Sequence, residues 1–225
     1  MPPRLSPDQI PAAPDLQFEQ ALWLQGLHAL AGFDEAGRGA WAGPVMAAAV
    51  ILPSEDSDIL QALDGVRDSK QLSPERRAEL APQVQQAALA WAVGQSSAAE
   101  IDALGILPAT RLAMQRALQD LAVAAEHLLI DALFLPDIDL PQTSLIKGDQ
   151  RSLSIAAASI LAKTSRDVWM CDCEEDFPQY AFARHKGYGT ALHQQRLAAF
   201  GPSAIHRRSF APIRALLQAA GPLEA

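Results

Sequence analysis

The sequence contains little cysteine and no long apolar run. Its two cysteines, Cys171 and Cys173, are too few to complete a zinc site, so we expect both to be reduced, incidental thiols. No uninterrupted apolar run exceeds about ten residues, half the length that crosses a bilayer. The first residues hold no apolar signal core. We therefore expect a cytoplasmic protein without membrane spans.

Acidic residues are also absent between Phe177 and Leu223, although the whole chain carries a net charge of −8. The overall negative charge argues against a general coat for nucleic acid. A solvated basic face is one explanation for the acid-free segment. If the protein also has an acidic metal site, a basic face that binds the phosphates of a nucleic acid is the better explanation. The cations of this segment are Arg184, Lys186, Arg196, Arg207, Arg208 and Arg214.

The length of 225 residues and the ordinary composition, about half hydrophobic and one-fifth charged, indicate a soluble globular protein with one core. We read residues 1–20, rich in proline, as a loose tail and residues 21–225 as a single domain. Strands and helices alternate in a way that predicts a mixed sheet covered by helices. We place strands near 28–34, 43–52, 90–94, 128–131 and 143–147, and helices near 73–89, 108–126, 152–175, 190–199 and 211–219.

The stretch from Phe33 to Gly39 joins the first two predicted strands and combines adjacent acids, glycines and an arginine. Apolar runs flank it on both sides, which predicts neighbouring strands with the turn at their end. Adjacent Asp34 and Glu35 are unsuited to a core, because burying an unpaired charge is costly. Glycines let backbone N–H groups approach a ligand. The combination suggests a metal ion held beside a phosphate.

Four carboxylates share one context, since each lies at or just past the end of an apolar strand. They are Asp34, Glu35, Asp131 and Asp149. If the strands are neighbours, the acids converge, and only protons or cations make such a cluster tolerable. Oxygen ligands select hard cations, so Mg²⁺ or Mn²⁺ is indicated. The alternative is that a lone aspartate after a strand is a turn or cap residue, and Asp149 is placed to cap the helix that begins near Ser152.

At this point the sequence resembles the type 2 ribonuclease H (ribonuclease HII) family, over roughly residues 28–215. One Gly-Arg-Gly would mean little, but several blocks in the family's order are specific. The blocks are Asp34-Glu35-Ala36-Gly37-Arg38-Gly39, Asp68-Ser69-Lys70-Gln71-Leu72, Ile130-Asp131, Lys147-Gly148-Asp149 leading into residues 156–163, His185-Lys186-Gly187-Tyr188, and residues 201–203 with 206–210.

The resemblance implies an α/β ribonuclease H-like fold: a five-stranded mixed sheet flanked by helices, with a small helical C-terminal extension. It implies a phosphodiester hydrolase that cleaves the RNA strand of RNA–DNA hybrids and incises beside single ribonucleotides in duplex DNA. The products carry a 3′-hydroxyl and a 5′-phosphate. Two divalent ions, Mg²⁺ or Mn²⁺, about 3.5–4 Å apart would clamp the scissile phosphate. A monomer that acts on nucleic acid and not on membranes is expected.

Carried over by position, the catalytic and metal-binding quartet is Asp34, Glu35, Asp131 and Asp149. The resemblance further implies that the Gly37-Arg38-Gly39 backbone senses the 2′-hydroxyl, with Arg38 near the phosphate. Tyr188 resembles the tyrosine that packs on the following sugar, and Lys70 a backbone-phosphate contact. Lys163 also belongs to a matching block, but its helix would allow it to form a structural ion pair instead of contacting the substrate. For His206-Arg207-Arg208, duplex contact and local packing are both open.

Two departures from the family pattern concern substrate affinity. Ala132-Leu133 stands where relatives have Gly-Asn after the aspartate, and Gly105 stands where an asparagine is common. Two rival functions stay in view. A ribonuclease HIII would have a large extra N-terminal domain and a glutamate as its last acid, where this chain has Asp149. A non-catalytic hybrid-binding module would gain nothing from acids that face phosphates.

Overall fold

The computed structural model describes residues 10–219, which form one mixed sheet with helices packed on both faces. The predicted five-stranded sheet is confirmed. In spatial order its central member is the first strand of the chain. The strands in the described residues are β1 (Leu30–Ala36), β2 (Val45–Ile51), β3 (Ala90–Ser96), β4 (His127–Asp131) and β5 (Gln142–Leu145).

The sheet has the order β3-β2-β1-β4-β5. β1, β2 and β3 form an antiparallel meander, while β4 and β5 run parallel to β1. The antiparallel β1–β2 pair has its turn where the Gly-rich stretch was predicted to lie. β1 continues to Ala36, two residues further than the sequence indicated, so Asp34 and Glu35 lie within the strand and not at its end.

Helices cover the sheet and form the C-terminal part of the described chain. The predicted helices near 190–199 and 211–219 are confirmed. The helices are α1 (Gln17–Trp23), α2 (Ile59–Ala62), α3 (Pro74–Ala87), α4 (Ala98–Leu104), α5 (Ile106–Gln119), α6 (Leu153–Asp176), α7 (Phe182–His185), α8 (Ala191–Phe200) and α9 (Ala211–Ala219), with 3₁₀ turns at Ser69–Gln71, Gly148–Gln150 and Pro178–Tyr180.

Helix α6 is the main partner of the sheet on the face that carries the candidate site. Its first ten residues, Leu153–Ala162, are all buried, as their small apolar side chains predicted. Gly32 in β1 permits the close approach, because a Cβ there would lie 2.4 Å from the backbone carbon of Ser154. On the opposite face, Gly94 allows α5 to approach β3 in the same way. The two glycines set the spacing of the three layers.

Local sequence signals fix α3 as predicted. Ser73 accepts a hydrogen bond from the backbone of Arg76, and Pro74 occupies the first helical position. Pro82 lies inside the helix, which continues past it to Ala87, so the proline does not end the helix.

The predicted long helix at 108–126 is wrong at both ends. Helix α5 begins at Ile106 and ends at Gln119, and a separate α4 precedes it. Gly105, with φ of +83°, interrupts the two, a conformation that favours glycine. The start of α4 had a readable signal, since Ser97 and Glu100 form a reciprocal capping box.

The predicted loose tail is wrong for its last residues, whereas residues 1–9 lie outside the described part of the chain. Asp15 forms a β-bridge to Ser152, and α1 follows directly. The buried Glu19 accepts hydrogen bonds at Oε1 from the Ser152 and Ser154 hydroxyls, both at 2.6 Å, and from the Ser154 N–H at 3.0 Å. These bonds fasten α1 to the start of α6.

Within residues 10–219 no helix is long and apolar enough to cross a membrane. Both cysteines are free thiols, as predicted; Cys171 is exposed and Cys173 is buried.

Glu19→Ala should lower the melting temperature by about 3–12 °C. The substitution removes hydrogen bonds to a carboxylate, which are worth about 1.5–3 kcal/mol, and each kcal/mol shifts a chain of this size by about 2–4 °C. Gln20→Ala, one residue along the same helix with an exposed side chain, is the control. Thermal unfolding of the two variants beside the parent checks the prediction, and equal melting temperatures would contradict it.

Candidate active site

Two of the predicted carboxylates stand side by side on neighbouring parallel strands. Phe33 of β1 pairs with Ile130 of β4, so Asp34 and Asp131 follow at the next step of the register. Residues in register on adjacent strands point to the same face of a sheet. That face is the one that α6 covers, and Asp34 is only 2% exposed there.

Glu35 points to the opposite face from Asp34 and is held by the turn that follows. Its Oε1 lies 3.1 Å from the Arg38 guanidinium. The other carboxylate oxygen, Oε2, is buried and has no hydrogen-bond partner among residues 10–219. An unpartnered buried carboxylate oxygen is costly, so this atom is the part of the site most in need of a cation or water.

The fourth carboxylate reaches the cluster through a 3₁₀ turn just after β5. The Gly148 N–H donates to Asp131 Oδ1 at 2.7 Å, which places Asp149 beside β4. Lys70 Nζ lies 3.7 Å from Asp149 Oδ2. A further buried acid, Asp68, had been quoted in a motif but not predicted as a site residue. It accepts hydrogen bonds from the Lys70 N–H and from Gln150, and its position two residues before Lys70 was the available signal.

The electrostatics show that the four carboxylates act on one another. Burial, then the charges of Glu35 and Asp131, raise the pKa of Asp34 well above its usual range, with Lys70 opposing them. Burial and the neighbouring Asp131 raise the pKa of Asp149 to about 7. Burial also raises the pKa of Asp131 and Glu35. For Lys70, burial alone would lower the pKa, but the surrounding carboxylates outweigh it and raise the value.

The carboxylates of this arrangement differ in how well they suit a metal ion in number and in kind. In the part of the chain that the structure describes, no three acidic, histidine or cysteine side chains are grouped closely enough to hold an ion as they stand. Two carboxylates about 4 Å apart would repel by roughly 4 kcal/mol at an effective dielectric near 20, so acids drawn together at such a distance would need a cation or a proton. The donor chemistry nevertheless fits a hard divalent cation, because every donor is an oxygen and Glu35 Oε2 has no partner.

The two glycines of Gly37-Arg38-Gly39 have different duties. Gly37 has φ of +95°, and a Cβ there would lie 2.0 Å from Arg166 Nε, so its lack of a side chain is required by the fold. A Cβ on Gly39 would meet nothing within 4 Å. Gly39 is therefore the position where bare backbone faces open space and a ligand can approach.

Two buried arginines hold this turn, and sequence reasoning missed both as organisers of the site. Arg166 donates to the carbonyls of Ala42 at 3.0 Å, Pro44 at 2.9 Å and Lys186 at 2.9 Å. Arg207 donates to the Gly43 and Arg38 carbonyls at 2.9 and 3.0 Å. Neither forms an ion pair with a carboxylate in residues 10–219. Both guanidinium groups donate hydrogen bonds to backbone carbonyl oxygens instead.

Arg207 therefore departs from the predicted phosphate-following face, since it is fully buried, as is His206. Packing explains these two residues. Arg208 is exposed, as are Arg184 and Arg214, while Lys186 and Arg196 are half-buried.

Tyr188 lies on a turn next to the Gly-rich stretch, and two cations of α6 lie close to its ring. Lys163 Nζ is 5.4 Å and the Arg166 guanidinium carbon 5.3 Å from the ring centroid. Lys163 also forms the ion pair foreseen as its alternative, at 2.5 Å from Asp167 Oδ1. Beside Tyr188 lies a cleft of about 650 Å³ whose lining includes Arg184 and Lys186.

Comparison with known proteins gives one consistent result. A family model described as Ribonuclease HII matches residues 31–213. A ribonuclease HII of Chloroflexus aurantiacus is 55% identical over 200 residues, which cover 89% of this chain and 94% of that protein. A ribonuclease HII of Geobacillus kaustophilus is 50% identical over 204 residues, covering 91% of this chain and 76% of that protein.

Solved structures share the fold. The ribonuclease H2 of Pyrococcus horikoshii superposes with a TM-score of 0.69 at 23% identity, covering 86% of this chain and 99% of that one. The RNase HII of Archaeoglobus fulgidus, solved in a complex with PCNA, gives 0.67 at 26% identity, covering 87% and 98%. A Bst-RNase HIII in complex with Mn²⁺ gives 0.63 at 22% identity, covering 87% and 71%.

Asp34→Asn should raise the melting temperature of the metal-free protein by about 2–4 °C. It removes a buried negative charge that Glu35 and Asp131 repel, and about 1 kcal/mol corresponds to that shift. Asp120→Asn, at an exposed carboxylate, is the control and should leave the value unchanged. Calorimetry in the presence of a chelator makes the measurement, and a lower melting temperature for Asp34→Asn would refute the repulsion.

Proposed function

The chain belongs to the ribonuclease HII family, and from that premise we propose that Asp34, Glu35, Asp131 and Asp149 form its catalytic centre. It is a ribonuclease H, a phosphodiester hydrolase. We propose that it cleaves the RNA strand of RNA–DNA hybrids and incises duplex DNA beside single embedded ribonucleotides, leaving 3′-hydroxyl and 5′-phosphate ends. The observation that carries this proposal is the convergence of the carboxylates: Asp34 and Asp131 follow one another in the β1–β4 register, and the Gly148 N–H bond to Asp131 brings Asp149 beside them.

The carboxylates would hold Mg²⁺ or Mn²⁺, in keeping with the Mn²⁺ complex of the RNase HIII neighbour. When bound, such ions stabilise charge on a scissile phosphate and lower the pKa of water, and the proposed number is two. In the free protein, Lys70, Arg38 and the Gly148 N–H neutralise part of the negative charge. The Glu35 oxygen that lacks a partner is the atom best placed to gain from an ion.

The substrate would be held by the groups that surround the acids. The Lys70 side chain is 70% exposed and its ammonium is loosely paired to Asp149, so it can turn to a backbone phosphate. Its raised pKa keeps it charged. Arg38 has 44% of its side chain exposed and lies beside the acids, which suits contact with the phosphate next to the cut.

Selection of a ribonucleotide requires a group that senses the 2′-hydroxyl. We assign this to the Gly37-Arg38-Gly39 backbone, and within it to Gly39, whose surroundings are open. Tyr188 would pack on the neighbouring sugar, with Lys163 and Arg166 close to its ring. The cleft beside it, with Arg184 and Lys186, offers room and positive charge for the duplex that continues beyond the cut.

The ribonuclease HIII alternative receives no support. The matching family model is that of ribonuclease HII, and the HIII structures share only 18–22% identity with this chain. A non-catalytic hybrid-binding module fares no better, because buried acids facing phosphates would weaken its binding. We further propose that the protein is a cytoplasmic monomer whose residues 21–225 act as one domain.

A labelled DNA duplex with one ribonucleotide should be cut beside that ribonucleotide when Mg²⁺ or Mn²⁺ is added. An all-DNA duplex of the same sequence should stay intact, because it lacks the 2′-hydroxyl. Asp34→Asn should retain less than about 1% of the activity, since even second-shell losses at metal sites cost about 10–100-fold. Cutting of the all-DNA duplex, or full activity of Asp34→Asn, would contradict the assignment. Ligation of the products tests for the 3′-hydroxyl and 5′-phosphate.

Tyr188→Ala should reduce incision at a lone ribonucleotide about tenfold or more, while affinity for all-DNA duplex changes little. The lost packing on one sugar corresponds to about 1.4 kcal/mol per factor of ten. Tyr188→Phe keeps the ring and is the matched control. Steady-state kinetics and duplex titration supply the two readouts, and equal losses in both would remove the proposed role of the ring.

A further inference from the structure

Three histidines lie beneath the turn that carries Tyr188, in a pocket lined by aromatic side chains. The His185 and His193 rings stack at 4.3 Å with 15° between their planes, and His206 lies on the far side of His193. All three are buried. No set of potential ligands within residues 10–219 is arranged for a metal ion, so another reason must account for imidazoles where hydrocarbon would pack.

The hydrogen bonds fix which nitrogen of each ring carries the proton. The backbone N–H of Ser203 points to His206 Nδ1 at 2.8 Å, and because an N–H only donates, that nitrogen is bare. A neutral His206 therefore has its proton on Nε2. This N–H faces His193 Nε2 at 3.0 Å and donates to it. The His193 proton must then be on Nδ1, which lies 3.0 Å from the Tyr188 carbonyl oxygen and donates to it.

Burial keeps the rings neutral, as this chain of bonds requires. It lowers the pKa of His206 to about 3 and that of His193 to about 4, with the other histidines adding to the effect. A second proton on His193 would place two N–H groups face to face between His193 and His206, and a second proton on His206 would face the Ser203 N–H. The neutral chain has a donor and an acceptor at every step.

The remaining bonds hold the same turn from the other side. His185 Nδ1 accepts the Gly187 N–H at 3.2 Å, and its Nε2 donates to the Tyr180 carbonyl at 2.9 Å. The Trp41 N–H donates to the Gly187 carbonyl at 2.8 Å. The peptide groups on both sides of Tyr188 thus have fixed orientations, although its ring is only half-buried.

We propose that His193 is a positioning residue for Tyr188: its Nδ1–H bond, together with the Thr190 N–H, holds the Tyr188 carbonyl in place, and His206 with Ser203 selects the tautomer that can make this bond. The inference rests on the proposed role of Tyr188 in recognising the sugar. These bonds hold the peptide plane that follows Tyr188 and so keep in place the Cα from which the ring projects toward a substrate. A displacement of about 1 Å in such a group can cost roughly a hundredfold in rate.

Two substitutions of His193 separate positioning from packing. In His193→Asn the side-chain amide nitrogen lies near the former Nδ1 and can still donate to the Tyr188 carbonyl. In His193→Gln the amide lies near the former Nε2 and points to His206 instead. Both variants lose the ring, so a merely structural role predicts equal effects. Positioning predicts that Asn stays within about threefold of the parent at a lone ribonucleotide, whereas Gln loses about tenfold or more.

The same pair is then measured in a Tyr188→Ala background. There the difference between Asn and Gln should disappear, because the group that His193 positions is gone. Equal activities of Asn and Gln in the parent background would overturn the positioning role and leave the Tyr188 assignment intact. Full activity of Tyr188→Ala alone would refute the Tyr188 assignment, and the role of His193 with it.

A measurement on the unaltered protein keeps the proposal testable if the variants do not fold. Two-bond ¹H–¹⁵N correlation spectra distinguish a protonated ring nitrogen from a bare one. The expected result is a proton on Nε2 of His206 and on Nδ1 of His193 at neutral pH. A proton on Nε2 of His193 would overturn the proposal, because that tautomer cannot donate to the Tyr188 carbonyl.

Discussion

Repulsion between buried carboxylates is the constraint around which the site is built. Two carboxylates about 4 Å apart would repel by roughly 4 kcal/mol at an effective dielectric near 20, a large share of the 5–15 kcal/mol that holds a typical domain together. The chain answers with local compensation: the Gly148 N–H on Asp131, Lys70 near Asp149 and Arg38 on Glu35. Because these compensations are exchangeable, the same groups can be redistributed when cations or phosphates arrive.

The positive charges behind the Gly-rich turn differ from the acids, because their partners are backbone carbonyls that stay in place. Arg166 and Arg207 are fully buried, and every hydrogen bond that they make within residues 10–219 goes to a backbone carbonyl. Burial lowers the pKa of Arg207 to about 9, with the charge of Arg166 adding to the effect, so it remains protonated at neutral pH. Removing either guanidinium would leave several buried carbonyls without donors. The acids and the arginines therefore differ in kind: the first are poised to change partners, and the second fix the backbone.

The sequence predicted the elements whose signals are local and missed those whose causes are distant. The apolar run of β2 and the small-residue start of α6 could be recognised from the local sequence alone. The folding of α1 onto the sheet depends on Glu19 meeting Ser152 and Ser154, more than 130 residues away, and no local pattern reports that. Likewise, an arginine such as Arg207 in a basic segment is normally solvated, and its burial follows only from carbonyls that the Gly-rich turn supplies from the other end of the chain.

The backbone bond from Trp41 to Gly187, reinforced by Arg166 bridging Ala42 and Lys186, joins the two turns proposed to read the substrate. Because these bonds connect the two turns, the position of one turn relative to the other is fixed in the folded protein. The entropy of ordering the two turns is therefore lost when the chain folds and not when a substrate binds. If these turns bind the substrate as proposed, a sugar would be selected by its fit to an arrangement that is already in place before binding.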